Sequence, residues 1–286
     1  MKLAKCATDD RAGAFWALVD PDADRVRAIE GAFADWVPAL TARPGGTPPL
    51  SGAEQALSDV RLLMPVEPHA TIVATGATYA KHVDGLGLAM PERPAAFLRT
   101  YRSLVGPGEE IVYPAVTEAL DYEIELVVII GANDVDPDDP VAGVLGYTIG
   151  NEVSARDLQF GGSVTGMDMF SAKALDRTGP IGPWIVTRDE FGDGTPDLEM
   201  RLTVDGELRQ HDRTGSLVWG VDHLVGYVNA RASLHCGDVV WTGTCAGVAH
   251  EDGRYLQPGQ EVVATIERIG ELRNVVGERA VAAASG

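Results

Sequence analysis

Asp121-Tyr122-Glu123-Ile124-Glu125-Leu126-Val127-Val128-Ile129-Ile130-Gly131 joins three acids at alternate positions to an unbroken apolar run. Alternate residues of a strand share a face. An extended chain here therefore turns Asp121, Glu123 and Glu125 one way, and Tyr122, Ile124 and Leu126 the other. The run from Leu126 to Ile130 has strand length and no polar alternation, the pattern of an interior element. Carboxylates side by side in an interior strand repel one another and lose hydration, at several kcal/mol per ion. A bound cation or shared protons would remove that penalty, and hard oxygen donors suit Mg²⁺, Mn²⁺ or Ca²⁺ rather than zinc. The competing account is a solvated strand edge with ordinary surface acids.

Working outward, strand signals dominate from His69 onward: TIVATG (71–76), AAFLR (95–99), EIVYPA (110–115), GVLGYTIGNEV (143–153), PWIVT (183–187), EMRLTV (199–204), DVVWTG (238–243) and EVVATIERIG (261–270). They are rich in Val, Ile, Thr and aromatic residues, with Gly, Pro and Asp between them. Helix-like stretches are few: 78–84, 155–159 and 221–230. Before His69 the chain offers a short strand (14–19), a helix (28–40) and the Pro/Gly-dense ARPGGTPPLSGAE (42–54). These features predict a small N-terminal α+β domain over 1–68 and a larger domain over 69–286. The class is mostly β, α+β, with a sheet rolled over a site.

Composition excludes several function classes. A net charge of −19 disfavours nucleic acid, whose phosphates require a basic face. The longest apolar run is far too short for a spanning helix, and MKLAKCATDD lacks the apolar core of a signal peptide, so a cytoplasmic protein is expected. Three cysteines (Cys6, Cys236, Cys245) without paired spacing predict reduced thiols rather than a disulfide or zinc framework.

Other segments can bring chemistry to the acidic strand. In GYTIGNEVSARDLQ (146–159) a strand runs into a helical turn, with Glu152 at the junction and Arg156 and Gln159 one turn along. There a guanidinium and an amide can hold a substrate carboxylate. The plainer account makes Asn151 and Ser154 helix caps and pairs Arg156 with Asp157. Lys173, one of four lysines, lies in a Gly/Pro-framed loop; it is either a surface lysine or an ammonium facing negative charge on a substrate oxygen. His82 follows a strand, on a short helix, and can serve as a general base, although most lone histidines do no chemistry. WTGTCAGV (241–248) leads a strand into a small-residue turn that can bring backbone N–H groups and the Thr244 hydroxyl to a ligand, or is merely a tight connection.

In order along the chain, GATYAKH, FLRTYRSLVGPGEEIVYP, DYEIEL, GYTIGNEVSARDLQ, AKALDRTGPIGPWIVT, VDGELRQ, GDVVWTGTCAGV and IGELRN resemble the fumarylacetoacetate hydrolase superfamily over nearly its whole length. The resemblance implies a mixed β-roll, usually a homodimer, that holds Mg²⁺ or Mn²⁺ through three acids and acts on small 2-oxo acids. Position by position it implies metal ligation by Glu123, Glu125 and Glu152, catalytic roles for His82 and Lys173, and substrate contacts from Tyr79, Arg99, Arg156, Gln159 and Thr244. Three departures stand out. Glu152 replaces the usual Asp, Gly85 stands where a Glu often follows the lid histidine, and Arg99 replaces an early site lysine. The expected activity is metal-dependent hydrolysis of a C–C bond in an acylpyruvate-type 2,4-dioxo acid. Its competitors are decarboxylation, tautomerisation or (de)hydration of a 2-oxo acid, and a degenerate relative that binds without turnover.

Overall fold

The acidic strand is interior along its whole length. In the computed structural model, which describes residues 1–9, 12–160, 162–164 and 166–280, Ile124–Ile130 is buried at every position. Ile124, Leu126, Val128 and Ile130 enter one apolar core, and Val127 and Ile129 enter another on the opposite face. Burying both faces removes about 1.5–3 kcal/mol worth of apolar surface per side chain from water, which makes this strand the spine of the fold.

The main elements in chain order are β1 (Lys2–Ala7), β2 (Phe15–Asp20), β3 (Arg25–Ala28), α1 (Phe33–Thr41), β4 (Ile72–Gly76), α2 (Ala80–Gly85), β5 (Ala95–Arg99), β6 (Ile124–Ile130) and β7 (Val144–Asn151). They continue with α3 (Arg156–Gln159), α4 (Met169–Lys173), β8 (Gly179–Thr187), β9 (Glu199–Val204), β10 (Glu207–Arg213), α5 (Val221–Asn229), β11 (Val239–Thr244), β12 (Glu261–Ile266) and β13 (Gly270–Arg279). The large sheet runs β3-β2-β1-β8-β7-β6-β11-β4-β5, antiparallel except for the parallel β11–β4 pair. A five-stranded sheet, β10-β9-β12-β13 plus Ile111–Tyr113, packs Met200, Leu202, Val262 and Ala264 against the β6 face that carries Leu126 and Val128. The fold is mostly β with a mixed sheet, as the strand signals predict.

The sequence signals hold best where a strand is apolar. β5 and β9 occupy the predicted residues. Among the strands labelled above, four are unanticipated: β1, β3, β10 and β13 carry charged or polar residues at many positions, so their sequence lacks the continuous apolar signature. Conversely, the predicted strand over 261–270 is two strands joined by a turn at 267–269, with Arg268 at φ 64°. The predicted helix over 28–40 begins only at Phe33, because Ala28 still pairs with Ala17 in the sheet. Residues 1–68 contribute β1–β3 to the large sheet, joined to it through Lys2↔Val186 and Leu3↔Ile185.

Candidate active site

β6 and β7 pair antiparallel with Ile124 opposite Asn151 and Glu125 opposite Gly150. The Glu152 backbone N–H extends this pairing to the Glu123 carbonyl (2.8 Å), and Asn151 Oδ1 accepts from the Glu123 N–H (2.9 Å). Glu152 is thereby delivered beside Glu123, while the two-residue period of β6 places Glu125 on the same face. The three side chains each offer an oxygen within 4.8 Å of the others, and all are buried.

The cations arrive from other elements. Lys173, at the end of α4, donates to Glu123 Oε2 (2.7 Å) and Glu152 Oε2 (2.8 Å) and so bridges two of the acids. α4 is itself started by Asp168, whose carboxylate accepts from the Ser171 N–H (2.9 Å) and hydroxyl (2.7 Å). Arg156 donates from Nε to Asp121 (2.7 Å), from Nη1 to Gln159 Oε1 (2.7 Å) and from Nη2 to Glu123. Arg99 Nη1 lies 3.2 Å from Glu152 Oε1, as an ion pair without hydrogen-bond alignment, and its guanidinium covers the Trp241 ring at 5.1 Å. On the far side of the acids, the Gly243 N–H donates to Glu125 Oε2 (2.7 Å). That approach needs a glycine: at φ 89° a Cβ would stand 2.1 Å from Thr78 Oγ1.

Four buried acids thus meet three buried cations: Asp121, Glu123, Glu125 and Glu152 against Lys173, Arg99 and Arg156. The charges are shared unequally. Burial raises the Glu123 carboxyl, but Lys173 and Arg156 outweigh it and hold the group down at about 2. Burial, with Glu152 and Glu123 as neighbours, pushes the Glu125 carboxyl well above the carboxylate range. Burial also raises Asp121, against the pull of Arg156. A divalent ion fits this set of residues. The donors are all oxygen, Glu152 Oε1 is buried without a hydrogen-bond partner, and oxygens across an octahedral ion with bonds of about 2.1 Å stand about 4.2 Å apart.

These groups form the floor of an open cleft with a cavity volume of about 190 Å³. Of the residues singled out from the sequence, His82, Glu123, Glu125, Glu152, Arg156, Gln159, Lys173 and Thr244 line it. Two do not. Tyr79 is packed in the apolar core with its hydroxyl 3.8 Å from Met200 Sδ, and Arg99 lies behind Glu152, screened by it from the cleft. Three finer expectations also change. Asn151 holds the Glu123 backbone and Ser154 donates to the Glu152 carbonyl, so neither caps a helix. Asp157 accepts from Thr117 and the Glu118 N–H, leaving Arg156 to the site. In the Thr242–Thr244 turn the N–H of Gly243 is committed to Glu125, and the Thr244 hydroxyl donates to the Ile124 carbonyl (2.8 Å). Met167 and Met169 also line the cleft, in a segment whose residues 161 and 165 lie outside the described residues.

Sequence reasoning missed the roles of three participants. Asp121 is not a third acid of the cluster; it accepts Arg156 and the backbone N–H groups of Ala249 (2.7 Å) and His250 (3.0 Å). Gln210 reaches across from β10, accepting from the Ile124 N–H and donating to Thr244 Oγ1, both at 2.9 Å. Glu251 approaches His82. Gln210 is marked by its position inside VDGELRQ and Asp121 by its alternation with Glu123 and Glu125, though not for the role each plays; nothing local marks Glu251.

The family model for the fumarylacetoacetate (FAA) hydrolase C-terminal domain matches residues 71–277. The chain belongs to the fumarylacetoacetate hydrolase family. It is 33% identical over 267 residues to 2,4-didehydro-3-deoxy-L-rhamnonate hydrolase of Sphingomonas sp. (strain SKA58), covering 91% of each chain. Its structure is similar to that of 5-carboxymethyl-2-hydroxymuconate delta-isomerase from Mycobacterium smegmatis, with a TM-score of 0.79, 35% identity, and coverage of 98% and 100%. It also resembles fumarylpyruvate hydrolase from Pseudomonas aeruginosa in complex with Mn²⁺ and pyruvate, with a TM-score of 0.67, 30% identity, and coverage of 76% and 92%. This is an enzyme family that includes hydrolases and isomerases, and one relative binds Mn²⁺. Among the described residues no helix is long and apolar enough to cross a membrane.

Proposed function

We propose that this family member is a divalent-metal-dependent hydrolase that cleaves a C–C bond in a 2,4-dioxo acid of the acylpyruvate type. The observation that carries the reading is the meeting, in one cleft, of three buried carboxylates bridged by Lys173 with His82 on the wall above them. Glu123, Glu125 and Glu152 would hold Mg²⁺ or Mn²⁺, and the bound ion would supply Lewis-acid polarisation of the 2-oxo group. The chain's own side chains would do the rest. Gln159 and Arg156 border the place for the substrate carboxylate. His82 takes a proton from water as the water oxygen attacks the 4-carbonyl carbon. The C3–C4 bond breaks with its electron pair left on C3, the acyl group leaves as a carboxylic acid, and the enolate is reprotonated to pyruvate. The Lys173 ammonium faces the negative charge that develops.

The wall of the cleft favours an apolar acyl group. Val83, Leu86, Leu88, Phe97, Phe160 and Met169 line it, and among the described lining residues the lysine and arginine side chains are Lys173 and Arg156, both at the floor. A second carboxylate at the far end of a substrate would find no partner there.

A second reading, isomerisation or another enolate reaction without water, is favoured by the isomerase among the similar structures. A thermal melt of metal-stripped protein with Mg²⁺ or Mn²⁺, oxalate, and both together tests the shared part. Oxalate stands in for the chelating head of a 2-oxo acid, and saturation at a hundred times Kd adds about 2.7 kcal/mol. Stabilisation that requires both ligands is expected; its absence overturns the metal reading. With straight-chain acylpyruvates, kcat/KM should rise roughly fourfold per added methylene, at about 0.8 kcal/mol each. Solvent ¹⁸O in the released acid marks hydrolysis, whereas product without it supports the second reading.

A further inference from the structure

Glu123 and Glu152 each stand between Lys173 and an arginine. Lys173 donates to Oε2 of both acids; Arg156 takes the other oxygen of Glu123, and Arg99 lies against the other oxygen of Glu152. The two arginine contacts differ in kind. Arg156 donates hydrogen bonds from Nε, Nη1 and Nη2. Arg99 Nη1 and Glu152 Oε1 are 3.2 Å apart and buried, yet neither has a hydrogen-bond partner. No N–H of Arg99 is aimed at Oε1, so opposite charge holds the pair while the lone pairs of that oxygen stay unclaimed.

The guanidinium is confined on its other sides. Its flat face covers the Trp241 ring at 5.1 Å, and Nε donates to Ser103 Oγ (3.3 Å). Nη2 lies against the backbone at the start of β8: a Cβ built on Gly179 would stand 2.6 Å from Nη2 and 3.1 Å from Cζ. Gly179 is not among the glycines at positive φ, so space for the guanidinium, and not backbone conformation, requires a glycine there. Gly150 does the same for the platform, since a Cβ on it would stand 2.3 Å from Trp241 Cζ3.

We infer that Arg99 is the positioning residue of Glu152, and that Gly179 provides the room in which an arginine can do this. The guanidinium fixes the carboxylate from behind and leaves Oε1 free to take a cation. The inference rests on the reading that the three acids hold a divalent ion. A lysine would supply the charge without the plane that lies between Trp241 and Gly179. Charge alone would act in the opposite sense: a fixed cation beside Oε1 repels a divalent ion, so its removal would tighten binding.

The test is the affinity of the metal-stripped protein for Mn²⁺, measured by titration calorimetry without substrate. Arg99→Lys and Arg99→Met should each weaken binding about tenfold, the lower end for loss of a residue that orients a metal ligand. Gly179→Ala should weaken it by a similar factor, because the new Cβ displaces the guanidinium. Added to Arg99→Lys, the same Gly179→Ala should weaken binding hardly further, since the group that it strikes is gone. Unchanged or tighter binding in Arg99→Met, or a double variant in which the two losses multiply, overturns the inference. If the unmodified chain binds no Mn²⁺, the metal reading fails, and the thermal melt of the metal-free protein decides what remains. Gly179→Ala should then lower Tm in the unmodified chain and not in the Arg99→Lys chain; equal losses in both would separate Gly179 from Arg99 and overturn the inference.

Discussion

Glu125 and Ile129 stand four residues apart on one face of β6, each 1% exposed, and the fold accommodates them by different means. Ile129 meets Trp36, Leu145 and Trp241 side chains of its own kind within one apolar cluster. Around Glu125 the neighbours are two more carboxylates and a backbone N–H from the next strand, and cations carried on α4, α3 and the end of β5 pair with those two carboxylates. The apolar end of the strand is satisfied by any well-shaped neighbour. The charged end requires particular partners at particular distances, because each unpaired buried charge costs several kcal/mol. Stability should therefore respond to substitution at both ends, but only at the charged end should a bound ion be able to restore it.

The largest effect is expected at Lys173. Lys173→Met keeps most of the side-chain volume and leaves Glu123 and Glu152 facing each other without the ammonium between them. In metal-free protein the loss should be about 3–5 kcal/mol in a denaturant melt, the range for breaking a buried pair. Saturating Mn²⁺ or Mg²⁺ should return most of that stability, while turnover stays abolished. A variant that loses stability and regains none with metal would show that the acids do not form an ion site.

The contrast between the two ends also explains how much could be read from the sequence. β6, β5 and β9 were legible because a strand's apolar period is written within the strand itself. Glu123, Glu125 and Glu152 were legible for a related reason: a carboxylate beside an interior apolar run is locally anomalous. Glu251 and Asp121 were not recognised for what they do. Glu251 lies 169 positions from His82 and Asp121 35 from Arg156, and within its own turn Glu251 reads as an ordinary surface acid. Gly85 was noticed only as a missing glutamate; the carboxylate that fills its space comes from the other end of the chain. Tyr79 misled in the opposite sense, since a tyrosine beside a site motif looks like a ligand contact until its ring is found in the core.

Ile129→Ala removes three carbons from a buried apolar cluster and should cost about 2–5 kcal/mol. The loss should be the same with and without Mn²⁺, and kcat below the melting transition should be unchanged. A cost that metal reverses would mean that the two ends of β6 are mechanically coupled, and the distinction drawn between them would fail.

The smallest expected effect concerns Arg99 and Glu152, two of the three residues at which this chain departs from the pattern it resembles. They touch: Nη1 and Oε1 are 3.2 Å apart, and the flat guanidinium lies over Trp241. Arg99→Lys exchanges that plane for a compact ammonium, and Glu152→Asp withdraws the carboxylate by a methylene. If the two departures form one unit, their effects on the melt of the Mn²⁺-saturated protein cannot add. The double variant should differ from the sum of the singles by about 0.5–3 kcal/mol, the range for residues in direct contact. Strict additivity would instead leave Lys173 as the sole partner that fixes Glu152. The extra methylene would then be absorbed within the acid cluster, and Arg99 would be a buried cation held by Trp241 rather than a member of the site.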